Sequence, residues 1–219
     1  MPKRNSTRII AIVLATGVIA ASAANAHKPS YSNDTYGTPQ SAFQIEDLST
    51  SIVVYDHVTC DAPQVWLAFD ATQADREIYF SLGVPVIDRL SDYRPSIAIL
   101  APGLPAPDKP LPFAVPIGMG VISIETNSVT PDIFDEPVSG TQSWILFEET
   151  LTLPETGKGF VVAWDPSGRP GKLWVAVGTK ERFGLSDLLK LPKWRSKTKE
   201  FHEVSSKTSE INFPQSCPQ

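Results

Sequence analysis

The sequence predicts an all-β fold, an antiparallel two-sheet sandwich closed by a short C-terminal helix. Eight short segments are rich in Val, Ile, Tyr, Phe and Trp, each is bounded by Pro, Gly, Asp or Asn, and no long helical periodicity separates them. At 219 residues the chain suits one domain with appendages. The boundaries read as a leader at 1–26, an extended arm at 27–45, a sandwich at 46–180 and a helix with a basic strap at 181–219.

In chain order, Lys3, Arg4 and Arg8 precede an apolar run from Ile9 to about Ala21. The small residues that follow end in Ala24-Asn25-Ala26. A basic start, an apolar stretch too short to span comfortably and an Ala-x-Ala site are the marks of a secretory signal peptide. The expected localisation is secreted or periplasmic. Loss of the three basic residues takes the formal net charge from −5 to −8.

Residues 27–45 show no periodicity and read as an extended arm. The strand candidates are Ser51 to Asp56, Gln64 to Asp70, Glu77 to Val86, Ser96 to Leu100, Val121 to Glu125, Ser143 to Leu153, Gly159 to Trp164 and Lys172 to Val177. In Val65-Trp66-Leu67-Ala68-Phe69 and Leu173-Trp174-Val175-Ala176-Val177 every position is apolar, so both faces of these strands are expected to be covered. Core packing accounts for Trp66, Trp144, Trp164 and Trp174, with an aromatic binding platform as the alternative for one of them.

Between Ile87 and Gly120 the chain holds seven prolines from Pro95 to Pro116, which leaves mostly loop. Arg94, Pro102 and Leu104 mark this loop as a candidate binding surface, or else as a stiffened connection between sheets. Gly184 to Leu191 then predicts a helix capped by Ser186 and stopped by Pro192. Lys193-Trp194-Arg195 opens a basic run, part of a segment from Lys180 to Lys199 with seven basic residues against two acidic. The preceding residues from His27 to Thr179 carry 8 basic against 19 acidic. The strap is therefore expected to lie across an acidic body, or to make a peripheral contact with an anionic membrane or partner. An acidic body excludes nucleic acid as a partner.

Two cysteines and three histidines cannot build a zinc ribbon or a multi-His zinc centre. In an exported chain Cys60 and Cys217 are expected to form a disulfide, closing a loop that stabilises by about 4 to 5 kcal/mol. No nucleophile elbow, phosphate loop or dinucleotide fingerprint is present. Adjacent carboxylates at Asp135-Glu136 and Glu148-Glu149 fall on opposite faces of a strand, so neither makes a glycosidase pair. Asp132, Asp135 and Glu136 form a minor calcium candidate. Cleavage after Ala26 would place an amine and an imidazole on His27. With a second imidazole from His57 or His202 the three nitrogens would suit copper(II).

The central section resembles the pre-peptidase C-terminal modules of secreted proteins. The residues that carry this are QVWLAFDATQADREIYFSLGVPV, the SIAILAPG strand and turn, and LTLPETGKGFVVAWDPSGRPGKLWVAVG, in which an aromatic strand, a short turn and a glycine lead to a final strand. The resemblance spans about Ser51 to Gly178. It implies a non-catalytic, jelly-roll-like module and supplies no catalytic residue. The function expected from the sequence is therefore an exported binding or structural module, with a protein, glycan or envelope component as partner and no cofactor. A copper protein using His27 and His57 is the alternative.

Overall fold

Among the described residues, alternating β-branched and aromatic side chains place eleven strands in two stacked sheets. The structure, a computed structural model, describes residues 27–32, 36–204 and 217. The leader candidate at 1–26 lies outside the described residues.

The strands are β1 (Lys28–Tyr31), β2 (Phe43–Ile45), β3 (Ile52–Val58), β4 (Gln64–Ala71), β5 (Arg76–Pro85), β6 (Ser96–Ala101), β7 (Gly120–Ile124), β8 (Asp132–Glu136), β9 (Thr141–Leu153), β10 (Gly157–Trp164) and β11 (Gly171–Val177). One sheet has six strands in the order β1-β3-β11-β5-β9-β8, and the other has five in the order β2-β4-β10-β6-β7. The interior pairings are antiparallel, whereas β1 on β3 and β2 on β4 are parallel. The segment expected as an extended arm thus gives each sheet an edge strand. Its Ser, Pro and Asn content hides the strands from periodicity, because an edge strand needs backbone pairing more than apolar alternation.

The main core lies between the sheets. It holds Val54, Leu67, Phe69, Phe80, Leu82, Ile97, Ile99, Leu153, Leu173 and Val175, all buried. Both strands read as apolar on two faces do have two covered faces. On β4, Leu67 and Phe69 enter the main core, while Trp66 and Ala68 face outward under the Pro-rich loop. Phe113 of that loop packs edge-on against Trp66 and Trp164 at 5.1 and 5.3 Å between ring centroids. On β11, Leu173 and Val175 point inward, and Trp174 and Ala176 point out toward the C-terminal segment.

That segment forms two helices, α1 (Leu185–Leu188) and α2 (Leu191–Phe201). Pro192 does not stop a helix here; it sits in the first turn of the second, where its missing N–H costs nothing. Ser186 lies inside α1 and does not cap it. The Gly184 N–H instead donates to Asp187 Oδ2 at 3.1 Å. The basic strap is therefore helix α2, laid over the outer face of the six-stranded sheet. Cys60 and Cys217 are disulfide-bonded with 5.4 Å between their Cα atoms.

Candidate functional site

The outer face of the six-stranded sheet presents Val53 and Tyr55 from β3, Trp174 from β11, Tyr79 and Ser81 from β5, and Ser143 and Ile145 from β9. Helix α2 covers one side of this face and leaves beside it a partly open cavity of about 210 Å³. Phe134 and Glu136 of β8, His27, and Phe183, Leu191, Trp194 and Arg195 of the C-terminal segment complete the walls.

The floor is set by a glycine. A Cβ on Gly83 would lie 2.1 Å from the Trp174 ring, so only glycine at this point of β5 lets the indole lie flat across its neighbour. The register of β5 on β9 shifts between Leu82 and Gly83. Trp174 Nε1–H donates to Ser143 Oγ at 2.9 Å, and Ser143 Oγ lies 3.1 Å from His202 Nε2. His202 Nδ1 lies 2.8 Å from the Thr198 carbonyl, which can only accept, so Nδ1 carries the proton and Nε2 accepts from Ser143. The chain from Trp174 through Ser143 and His202 to Thr198 ties the end of α2 to the sheet with every polar atom paired. Burial holds the His202 imidazole down at about 4.

Ser143 and His202 have the atom types of a nucleophile and its base. An imidazole held at about 4 is a weak base near neutral pH, and the carbonyl behind it carries no charge to stabilise an imidazolium. The pair is a docking contact. More contacts fix the same helix: Tyr31 OH donates to the Trp194 carbonyl at 2.9 Å and lies 2.6 Å from Thr198 Oγ1. Tyr31 stacks on Tyr55, and Tyr55 packs against Phe201 at 4.9 Å. Ion pairs at the two ends of the segment join Asp187 to Lys28 at 3.0 Å, Glu203 to Lys172 at 2.8 Å and Arg182 to Asp47 of the body at 3.4 Å. Aromatic packing and hydrogen bonds, more than the basic side chains themselves, hold the strap to the body.

Inside the cavity, Ser81 is 1% exposed and its hydroxyl lies beside the Tyr79 phenol, with which it interacts. A buried pair of hydroxyls keeps acceptor and donor capacity that a ligand's polar atom could use. Glu136 on the rim accepts from the Ser139 N–H and Oγ–H, both at 2.6 Å, and is held by its own turn. His27 Nδ1 is hydrogen-bonded to Ser51 Oγ, and burial lowers the imidazole pKa. Burial likewise pushes the Tyr79 phenol up to about 12.

Of the residues singled out in the sequence, the structure brings Trp194 and Arg195 to the cavity wall, and Arg195 Nε donates to the Val138 carbonyl at 2.8 Å. Lys193 is exposed and does not line the cavity. The three loop residues lie elsewhere: Arg94 Nη1 donates to the carbonyls of Ser91 and Tyr93, Leu104 packs against the main core, and Pro102 lies over Gly157.

The copper arrangement of His27 with His57 is corrected by the register. His27 lies level with Ser51, and His57 is six positions further along β3, about 20 Å away at the usual strand rise. His202, the other second ligand considered, has both ring nitrogens engaged. The calcium candidate does not converge either, because alternation along β8 turns Asp135 away from Asp132 and Glu136. Among the described residues no group of three or more His, Cys, Asp and Glu side chains is placed to hold a metal. Sequence reading missed Ser81 and Tyr79 of the cavity wall and Gly83 beneath the Trp174 ring, and it offered Glu136 only as a calcium candidate. The one legible signal among them was a glycine inside an otherwise continuous strand pattern.

No helix among the described residues is long and apolar enough to cross a membrane. Neither a protein-family profile nor a curated protein matches the chain. Among solved structures it is similar to the pre-peptidase C-terminal domain of a collagenase from Bacillus anthracis, the module type that its strand pattern resembles, at 12% identity over 62% of this chain and 93% of that one, with a TM-score of 0.33.

Proposed function

We propose that the chain is an exported binding module that takes a small, largely apolar ligand into the cavity between the six-stranded sheet and helix α2. One observation carries this reading: a cavity of about 210 Å³ walled by aromatic side chains has the Ser81 hydroxyl buried on its floor beside the Tyr79 phenol. Apolar cavities of about 150 Å³ accept benzene-sized molecules, so this one suits a bicyclic ring or a short branched chain with one polar atom. The walls are held by a fully paired hydrogen-bond chain, which favours a preformed site. The leader pattern supports export, to the periplasm or beyond. A structural role for the module remains the competing reading.

The test uses Trp174 and Trp194, both in the walls, as fluorescent reporters. Indole, benzyl alcohol and short branched alcohols are titrated against the wild-type protein and against Ser81→Leu, which fills the cavity and removes the hydroxyl. The expected result is a saturable fluorescence change in the wild type that Ser81→Leu abolishes. If none of these probes binds the wild type while Ser81→Leu simply raises the melting temperature, the cavity is a packing void and the reading fails.

A further inference from the structure

The turn that joins the sandwich to α2 exposes apolar side chains that nothing in the fold requires to be apolar. Leu185 is 85% exposed, Leu188 54% and Leu189 86%. Leu185 and Leu188 belong to α1 and Leu189 follows it in helical conformation, so the spacing of three and four residues groups them on one side of the turn. Single exposed leucines are ordinary on protein surfaces, but a contiguous group marks a surface that is used. The turn is also firmly held from behind. Asp187, between the leucines in sequence, is buried and accepts from Lys28 Nζ at 3.0 Å, from Lys190 Nζ at 3.3 Å and from the Gly184 N–H at 3.1 Å. The leucines are therefore presented by a fixed turn.

Charge around this turn is opposite to that of the body. Lys180, Arg182, Lys190 and Lys193 flank the leucines, within the segment that has seven basic residues against two acidic; Arg182 also pairs with Asp47 and Lys190 with Asp187. Of those two acids, Asp187 is already bonded to two lysines. The rest of the sandwich carries an excess of acidic residues, so an anionic surface meets this basic segment more favourably than the body. A second copy of the chain is a poor occupant, because a two-fold contact would set basic flank against basic flank.

We infer that the α1 turn docks the protein on an anionic lipid surface, with Leu185, Leu188 and Leu189 entering the headgroup region and the flanking lysines and arginine meeting the phosphates. Short apolar side chains framed by basic ones have the physics of reversible interfacial binding, in which neither contribution suffices alone. The inference does not rest on the ligand cavity.

The experiment is cosedimentation of residues 27–219 with vesicles of phosphatidylcholine alone and of phosphatidylcholine mixed with phosphatidylglycerol, at low and high salt. Binding is expected only to the mixed vesicles and is expected to weaken with salt. Lys180→Ser with Lys193→Ser should weaken partition about five-fold per residue. Leu185→Ser with Leu189→Ser should weaken it on the order of ten-fold per residue. Both pairs replace exposed side chains, and unchanged melting temperatures verify the fold. Ser81→Leu should still bind, which separates failure of this inference from failure of the cavity reading. Absence of binding to the mixed vesicles at low salt overturns the inference. So does binding that survives both pairs of substitutions, or a dimer that the leucine pair dissolves without any vesicle binding.

Discussion

Asp56 is buried in β3, and loss of hydration raises its carboxyl to about 6 from the ordinary 3.8, although its Oδ1 accepts the His57 N–H at 2.8 Å. The folded protein therefore binds the Asp56 proton more tightly than the unfolded chain does. Stability from this group increases as pH falls through 6 and levels off below 3.8. Moving the folded value from 3.8 to about 6 corresponds to about 3 kcal/mol between pH 7 and pH 3.8. His202 does the reverse. Its value falls from 6.5 to about 4, so the unfolded chain binds its proton more tightly, and about 3 kcal/mol is lost as pH drops from 6.5 to 4. The two groups oppose each other over the same range.

Asp56→Asn removes one side of this balance. Whatever constant cost or gain the amide brings, the stability of Asp56→Asn relative to wild type should fall by about 3 kcal/mol between pH 7 and pH 4. Urea unfolding of both proteins at pH 4, 5, 6 and 7 measures this directly. The paired acids Asp47 and Asp187, both lowered to about 2, lose their contribution only below 3.8 and leave the range clear. A relative stability that does not change with pH, or that rises on acidification, would refute the assignment of Asp56 as a carboxyl strained by burial.

Three further outcomes are expected. Gly83→Ala drives a methyl group into the Trp174 ring, so it should destabilise by about 1 to 3 kcal/mol and shift the tryptophan emission as the Trp174–Ser143 bond breaks, checked by denaturation followed by fluorescence. His202→Gln should reverse the pH effect of Asp56→Asn, so that its stability relative to wild type rises by about 3 kcal/mol from pH 6.5 to pH 4 in the same urea assay. Replacing Cys60 and Cys217 together with Ser should cost up to about 4 to 5 kcal/mol, read as a lower urea midpoint that a reductant reproduces in the wild type.

The interior strands were legible because they combine β-branched and aromatic residues with turn residues at their ends. Gln64 to Asp70 and Ser96 to Leu100 match β4 and β6 to within one residue. The edge strands β1, β2 and β8 were not: Lys28-Pro29-Ser30-Tyr31 is fixed by the backbone of β3, far away in sequence, and Asp132-Ile133-Phe134-Asp135-Glu136 is rich in acidic residues that are scarce in strands and is held by its hairpin partner β9. The site was legible only in part. Trp174, Trp194 and Arg195 were candidates on chemical type, but the cavity depends on α2 lying across β3, β11 and β9, and no local pattern announces a helix-on-sheet contact. Pro192 was read as a stop for the same reason: a proline that ends one helix and a proline that begins the next look alike until the chain direction is known.

The strand order sets a timetable for the chain. β11 lies in the middle of the six-stranded sheet, between β3 and β5, yet it comes from residues 171–177. Until those residues exist, β3 and β5 have no common neighbour and the sheet stays split. Contacts of such long sequence separation also form slowly. The six-stranded sheet of a polypeptide emerging from the ribosome therefore stays incomplete until residues 171–177 have been made. The Cys60–Cys217 disulfide spans 157 residues and joins a position before β4 to one beyond β11, so it too can close only after β11 has been made.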